Sequence, residues 1–120
     1  MSKTLDEIWA GAQKGMTAAA LIFDASGRVL LVKHGYGMLN WEVPGGASEP
    51  NESPAETAVR EVREETGLAV VPERLVGVYY QQRWQPAEGA QRRGGREVLH
   101  FAFVCRAAPD ADPRPGYDGE

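Results

Sequence analysis

The sequence predicts an α/β fold, a sandwich in which a mixed sheet is covered by helices on both faces. Short runs that are apolar throughout, such as Ala18–Phe23, are typical of strands that are covered on both sides. A single strong amphipathic helix is indicated between residues 54 and 66. Strands and a helix of these kinds together favour an α/β sandwich.

Size and charge restrict the class of protein further. The chain has 120 residues, which suits a single domain, and 42% of them are hydrophobic, which is enough to form a core. Thirteen basic residues against seventeen acidic ones give a net charge of −4. Because binding to nucleic-acid phosphates needs clustered positive charge, we expect no nucleic-acid partner.

The sequence also argues against export and against a membrane partner. A single cysteine, Cys105, cannot form an internal disulfide, and its apolar surroundings indicate a buried thiol. No run approaches the roughly 20 apolar residues of a membrane span. The N-terminal residues carry acids and lack the apolar core of a signal peptide. These features favour a cytoplasmic protein.

The first predicted element is a short accessory helix over residues 4–13. Thr4 and Glu7 have the spacing of a capping box, and apolar residues recur on one side of the helix. Gly15 is expected to end it. We divide the chain into three parts: an N-terminal accessory segment, 1–15; a main domain, 16–106; and a tail rich in Pro and Asp, 107–120.

A β-hairpin is predicted next. The apolar runs 18–23 and 29–32 suit two strands, and Asp24–Arg28 between them has the composition of a tight turn. A short strand follows at residues 41–43. We expect Pro44 to halt that strand, because proline lacks the N–H that a continuing ladder needs.

The clearest helix start in the chain is at Ser53. This residue suits the N-cap, Pro54 suits the first helical position, and Glu56 completes a capping box. The helix should run to about Thr66, with Gly67 as its C-terminal stop.

The last predicted elements are two strands, Leu75–Trp84 and Glu97–Arg106. The segment between them, residues 85–96, is polar and rich in Gly, which predicts a mobile loop. The tail after residue 106 is too poor in apolar residues to bury much surface, so we expect it to be loose.

One face of the predicted helix carries three carboxylates. At about 100° of rotation per residue, Glu61, Glu64 and Glu65 lie within about 100° of one another, opposite an apolar stripe. Like charges at these spacings repel each other on an isolated helix. A hard divalent cation such as Mg²⁺ offsets that repulsion because it binds carboxylate oxygens. The alternative is an ordinary solvated acidic face, with Arg60 paired to Glu64.

Residues 46–68 place these carboxylates in a longer pattern. They read GASEPNESPAETAVREVREETGL. The string resembles the Nudix box, G-x5-E-x7-R-E-U-x-E-E-x-G-U with U a bulky aliphatic residue, and it matches all nine specified positions. This many residues at set spacings are far more specific than a short glycine motif. Residues 41–46, WEVPGG, also resemble the segment that precedes the box in the Nudix hydrolase family.

The resemblance implies the Nudix fold, an α/β/α sandwich with a mixed β-sheet, over the main domain. It implies a pyrophosphohydrolase that needs Mg²⁺ or Mn²⁺ and cleaves a nucleoside diphosphate linked to another moiety by attack of water on phosphorus. The substrate class stays open between a (deoxy)nucleoside triphosphate and an ADP-ribose-like diphosphate. We expect a small-molecule nucleotide substrate, no membrane partner, and either a monomer or a homodimer.

Site residues carry over from the resemblance by position. Glu61, Glu64 and Glu65 match the metal ligands, and Gly45 would lend its backbone carbonyl to a metal. Glu61 is also a candidate for the group that takes, or helps to take, the proton of the attacking water. Arg60 completes the catalytic set by orienting the carboxylates through charge-assisted hydrogen bonds.

The remaining candidates support the site or contact substrate. Gly46 and Glu52 match supporting positions of the box. Outside it, the candidate substrate-binding residues are Lys33, His34, Arg83 and Trp84. For each of these four the alternative is a solvated strand end or ordinary packing. The resemblance also implies a late acidic residue as ligand or base, for which Glu97, Asp118 and Glu120 are candidates.

The resemblance further implies another strand and a C-terminal helix after such a tail, so truncation at the C-terminus is one expectation. A Nudix-fold binding or sensor module without turnover is the alternative function, although such modules usually lose box carboxylates. An enzyme similar to isopentenyl-diphosphate isomerase is a third, but Cys105, deep in a predicted strand, is poorly placed to serve it.

Overall fold

The computed structural model describes residues 2–12, 14–33, 41–84 and 95–114, with backbone only at positions 83, 84, 95 and 96. Its elements, in chain order, are α1 (Leu5–Gly11), β1 (Gly15–Ile22), β2 (Val32–Lys33), β3 (Trp41–Glu42), β4 (Gly45–Ala47), α2 (Pro54–Thr66), β5 (Val70–Trp84) and β6 (Gly95–Ala107). Helix and strands are therefore mixed along the chain, as the sequence predicts.

A four-stranded mixed sheet forms the centre of the described structure. Its order is β4-β1-β6-β5, with β1 parallel to β6 and the other two pairs antiparallel. In the register of the central pairs, Ala18 lies between Gly46 of β4 and Phe101 of β6. The predicted mixed sheet is confirmed, and β1 connects the edge that carries the glycines with the long hairpin of β5 and β6.

Helix α2 packs on one face of this sheet, with the predicted boundaries. Both halves of the Ser53 capping box form, and Gly67 ends the helix with a φ of 79°. Val62 is fully buried and belongs to a core cluster with Ala20, Ile22, Leu68, Val70 and Cys105. Burial raises the pKa of the Cys105 thiol to about 11, which agrees with the predicted buried thiol and keeps it protonated at neutral pH.

The predicted hairpin is only partly correct. The turn forms, because Asp24 accepts backbone N–H groups of Ser26 and Arg28 and Gly27 adopts a φ of 83°. After the turn, however, the backbone pairing with the first strand of the hairpin consists, among the described residues, of a bridge between Phe23 and Val29 and a hydrogen bond from Leu30 N to Ile22 O. The second strand, β2, pairs instead with β3 in a separate two-stranded sheet.

The strand before Pro44 ends as expected, since β3 stops at Glu42, but the residues after Pro44 form a further strand, β4, that the sequence did not predict. Pro44 has no N–H to donate, but its carbonyl accepts from Ala20 N at 2.9 Å, and pairing resumes in β4 at once. Glycine is needed here because strands β4 and β1 approach closely. A Cβ on Gly45 would collide with the carbonyl oxygen of Ala18 and lie 2.8 Å from the Cα of Ala19.

The two ends of the chain also differ from expectation. Helix α1 forms with the predicted capping box, yet it buries none of its residues. The tail is not loose at its start, because Ala111 packs against the core and Arg114 N donates to Thr66 O at 2.6 Å. The last six residues lie outside the described part. Neither described helix has the length and apolarity of a membrane-spanning segment.

Candidate active site

The candidate site lies where α2 runs alongside β4. Gly45 N–H donates to Oε1 of Glu65 at 3.0 Å, and Glu65 is only 4% exposed. One turn earlier on the helix, the carboxylate of Glu61 lies where a Cβ on Gly46 would be. Gly46 therefore lets the Glu61 carboxylate come directly against the strand, which a larger residue would prevent, while Glu65 reaches the same strand through the backbone N–H of Gly45.

Arg60 links the carboxylates of this face to one another. Its Nη1 lies 3.1 Å from Oε1 of Glu64 and 3.7 Å from Oε1 of Glu61. Its Nη2 donates to the carbonyl of Ala47 at 2.8 Å, so the guanidinium also contacts the end of β4. The hydrogen bond to Glu52, followed by the other neighbouring carboxylates, raises the pKa of Arg60 above its ordinary value. The guanidinium is therefore a fixed positive charge.

Glu52 holds Arg60 from the loop that precedes the helix. Its Oε2 accepts from Arg60 Nε at 2.7 Å, and its Oε1 accepts from Arg60 Nη2 at 3.1 Å. This two-pronged geometry is the strong form of an arginine–carboxylate pair. The Arg60 bond, then the N–H of Glu49 and the hydroxyl of Thr57, lower the pKa of Glu52 to about 2. Glu52 is thus ionised throughout the neutral range.

Two hydroxyl residues that the sequence did not single out join this network. Thr57 Oγ1 lies 2.7 Å from Oε1 of Glu52 and 2.6 Å from Oγ of Ser48. Both fall at unspecified positions of the box. Thr57 lies three residues before Arg60, and that helical spacing was the one available sign that the two side chains share a face.

The donor set suits a hard divalent cation on chemical grounds. The candidate ligands are carboxylate oxygens and the backbone carbonyl of Gly45, which Mg²⁺ and Mn²⁺ prefer. A positively charged nitrogen of Arg60 already lies between Glu61 and Glu64. Within the described ranges, however, no three His, Cys, Asp or Glu side chains are close enough together to hold one ion. The donors fit the ion in type and in helix face, and two of them now contact a guanidinium.

The candidates outside the box are only partly described. Lys33 is exposed on β2, with its Nζ 6.0 Å from the ring centroid of Trp41 on the paired strand. Lys33 and Trp41 therefore form one exposed patch on the two-stranded sheet. His34 and the side chains of Arg83 and Trp84 lie outside the described residues.

Of the three candidate late acids, only Glu97 lies among the described residues. Glu97 accepts from the hydroxyl of Tyr80 at 2.7 Å and pairs with Lys14 at 3.7 Å. The Tyr80 hydrogen bond, followed by the charge of Lys14, lowers the pKa of Glu97. Its described bonds thus place it in a polar cluster of β5, β6 and the residue before β1. Asp118 and Glu120 fall outside the described residues.

The structure combines a mixed sheet, a Gly-Gly strand and a capped helix whose carboxylates contact that strand. These are the features that the Nudix resemblance implies. The family model described as "NUDIX domain" matches residues 13–120. The chain therefore belongs to the NUDIX family, and the family and fold predicted from residues 46–68 are confirmed.

Individual relatives agree with this assignment. Nucleoside diphosphate-linked moiety X motif 6 of Mus musculus is 42% identical over 93 residues, which cover 76% of this chain and 27% of that protein. A putative 8-oxo-dGTP diphosphatase of Bacillus subtilis (strain 168) is 40% identical over 68 residues, covering 57% and 45%. A NUDIX hydrolase structure from Nitrosomonas europaea matches with a TM-score of 0.62 and 32% identity, covering 87% of this chain and 68% of that one. The chain thus spans less than half the length of these two curated relatives.

Proposed function

We propose that this chain supplies the catalytic domain of a metal-dependent pyrophosphohydrolase. The observation that carries the proposal is the approach of Glu61 and Glu65 to the Gly45–Gly46 strand, with Arg60 bridging Glu61 and Glu64. Relatives named as a diphosphatase and as diphosphoinositol polyphosphate phosphohydrolases support hydrolysis of a phosphoric anhydride bond.

The charge distribution supports the need for a cation. Residues 46–68 contain six acids and two bases, which account for the whole net charge of −4. A diphosphate is itself an anion, so this face alone would repel it. Glu61, Glu64, Glu65 and the carbonyl of Gly45 would hold Mg²⁺ or Mn²⁺. When bound, the ion would neutralise phosphate oxygens, polarise phosphorus and lower the pKa of a bound water.

The chain's own residues would then orient the reaction. Arg60 keeps the carboxylates of Glu61 and Glu64 turned towards the site through its Nη1. For the group that accepts the proton of the attacking water we propose Glu61, whose carboxylate lies against Gly46. Positioning and electrostatics dominate phosphoryl transfer, so the protein needs no covalent step.

For the substrate we propose a small nucleotide, either a (deoxy)nucleoside triphosphate or an ADP-ribose-like diphosphate. The name of the Bacillus relative supports the first class, and that of the mouse relative is compatible with both. Lys33, His34, Arg83 and Trp84 remain the predicted substrate contacts. The exposed position of Lys33 beside Trp41 is compatible with a contact to phosphate. Monomer or homodimer, and a cytoplasmic location, also remain predictions.

A hydrolysis screen tests the proposal. The purified chain is incubated with Mg²⁺ or Mn²⁺ and a panel of nucleoside diphosphate derivatives, and the products are identified by chromatography. We expect turnover of at least one compound, abolished by EDTA. Glu64→Gln and Glu65→Gln should each lower kcat by orders of magnitude, because each removes a charged ligand at unchanged size.

The matched control is Glu73→Gln. Glu73 lies on β5, where it accepts a hydrogen bond from Arg106 at 2.8 Å, and its loss should leave turnover unchanged. Full activity in both helix variants would contradict the metal assignment. Tight nucleotide binding without turnover of any compound would instead support a sensor module.

A further inference from the structure

We propose that Ser48 and Thr57 are positioning residues of this site, which hold Glu52, and through it the Arg60 guanidinium, in the orientation that serves the α2 carboxylates. The inference rests on the proposed function, since it assigns a part in that site to two side chains outside the specified box positions. Neither residue is expected to touch metal or substrate.

The first step is the direction of the hydrogen bonds around Thr57. This side chain is fully buried, and its Oγ1 lies 2.6 Å from Ser48 Oγ, 2.7 Å from Glu52 Oε1 and 3.0 Å from Ser53 O. A hydroxyl has one proton to donate. An ionised carboxylate at the shorter distance is the stronger acceptor, so the proton goes to Glu52. Ser48 must then donate to Thr57, which gives the order Ser48 to Thr57 to Glu52.

The second step is what Glu52 does with that support. Its Oε1 also accepts from Glu49 N at 3.0 Å, so this oxygen is fixed by the helix and by the loop together. Both oxygens bind one edge of the Arg60 guanidinium, through Nε and Nη2. The opposite nitrogen, Nη1, is thereby directed towards Glu61 and Glu64. A rotation of Glu52 would turn Nη1 away from these carboxylates.

The third step is a comparison with the other buried threonine of the same helix. Thr66 is 1% exposed and donates to Val62 O at 2.7 Å, one turn back along its own helix. Its oxygen accepts from Leu68 N at 3.1 Å, so its polar atom serves only the end of the helix. Thr57 instead bonds outside the helix, to the loop that carries Glu52 and to the residue after β4. Burial of a threonine alone therefore does not explain the Thr57 contacts.

The fourth step is the connection of the hydrogen-bond relay, which runs from Ser48 through Thr57 and Glu52 to Arg60, with the sheet. Ser48 follows β4 directly, and its N–H donates to Met16 O at 2.8 Å, which fixes it beside β1. Through Ser48 and Thr57, Arg60 is therefore held at a fixed position relative to the strand that carries Gly45 and Gly46. The helix carboxylates and the Gly45 carbonyl consequently keep a constant arrangement with respect to each other.

The test compares three variants of the two threonines. Thr57→Val removes the hydroxyl at nearly constant shape, Thr57→Ser restores it, and Thr66→Val is the matched buried control. The first readout needs no metal and no turnover: the hydrogen-exchange rate of Arg60 Nε–H, followed by NMR in the metal-free protein. We expect the rate to rise about tenfold in Thr57→Val, because the carboxylate that protects this proton loses a hydrogen bond. Thr57→Ser and Thr66→Val should stay within about twofold of the unchanged protein.

The second readout is kinetic and uses the best substrate of the hydrolysis screen. Thr57→Val should lower kcat about tenfold with KM within about twofold, because the relay orients carboxylates and binds no substrate. Thr57→Ser should recover most of that loss. If the unchanged protein hydrolyses nothing, the proposed function fails, while the exchange measurement still decides whether the relay exists.

Two results would overturn the inference. One is slow Arg60 exchange in Thr57→Val, and the other is equal acceleration in Thr57→Val and Thr66→Val, which would indicate general loosening of the helix. Ser48→Ala leaves the helix sequence intact and decides the matter if Thr57→Val does not fold. It should accelerate the exchange about threefold, and an unchanged rate there would remove Ser48 from the relay and the support for its direction.

Discussion

The two helices begin with the same capping interactions but differ in how much of their surface is buried. Both have a complete capping box, Thr4 with Glu7 in α1 and Ser53 with Glu56 in α2. In each box the N–H of the N-cap residue is the main cause of a lowered pKa of the glutamate. Yet α1 buries no residue, whereas α2 buries five and ends in a left-handed glycine. A capping box decides where a helix begins, and packing decides whether it can hold a site.

The comparison predicts its largest effect for a core truncation. Val62 is fully buried in α2, while Ile8 in α1 is 49% exposed. Val62→Ala should lower the free energy of unfolding by about 2 kcal/mol, because it removes buried methyl groups and leaves a cavity. Ile8→Ala should change it by less than about 0.5 kcal/mol. Urea unfolding followed by circular dichroism measures both, and equal losses would mean that α1 is packed after all.

The same contrast shows which features a sequence can predict. The bounds of α2 follow from Ser53, Pro54 and Gly67, because capping and left-handed termination depend on residues within one turn. The carboxylate face follows from helical period alone, and the structure brings Glu61 and Glu65 to the predicted glycines. These features depend on residues close in sequence, so they can be predicted without knowledge of the tertiary contacts.

What the sequence did not predict depends on distant partners. Strands β2, β3 and β4 have two or three residues each, and propensity is too weak over such lengths to decide which pairs with which. The pairing around Pro44 depends on β1, because the Pro44 carbonyl accepts a hydrogen bond from the backbone N–H of Ala20. The contact between Ser48 and Thr57 has no local signal in the sequence, since it exists only after the loop has returned to the helix.

For a matched pair of glycines, one at the C-terminal end of each helix, the alanine variants should differ in unfolding free energy by about half the loss expected for Val62→Ala. Gly67 after α2 and Gly11 at the end of α1 both have open space where a Cβ would be added, but only Gly67 has a positive φ, 79°. Gly67→Ala should therefore cost about 1 kcal/mol from backbone strain alone. Gly11→Ala should increase the helicity of α1 slightly, with no change in the global free energy of unfolding. Urea unfolding and the ellipticity at 222 nm separate the two effects. A loss in Gly11→Ala would show that α1 is part of the cooperative unit.

The last contrast is a dependence of stability on pH, which should arise more from Glu52, in the loop before α2, than from Glu7 of α1. The pKa of Glu52 falls from an ordinary value of 4.5 to about 2 in the folded chain, mainly through Arg60. A carboxyl whose pKa is lowered by folding stabilises the native state above its unfolded pKa, and that contribution disappears as the pH falls towards the folded value. Stability should therefore decline between pH 4.5 and pH 2.

Glu52→Gln tests the origin of that decline. The variant should be less stable at pH 7, because Arg60 loses its charged partner, but its stability should fall less steeply than that of the unchanged chain below pH 4.5. Glu7→Gln is the comparison variant in α1: the pKa of Glu7 is also lowered, mainly by the N–H of Thr4, but its carboxylate is fully exposed and screened by solvent. Its curve of unfolding free energy against pH should therefore change less than that of Glu52→Gln. An equal slope in Glu52→Gln would mean that other carboxylates carry the acid sensitivity and that the Arg60–Glu52 pair does not set it.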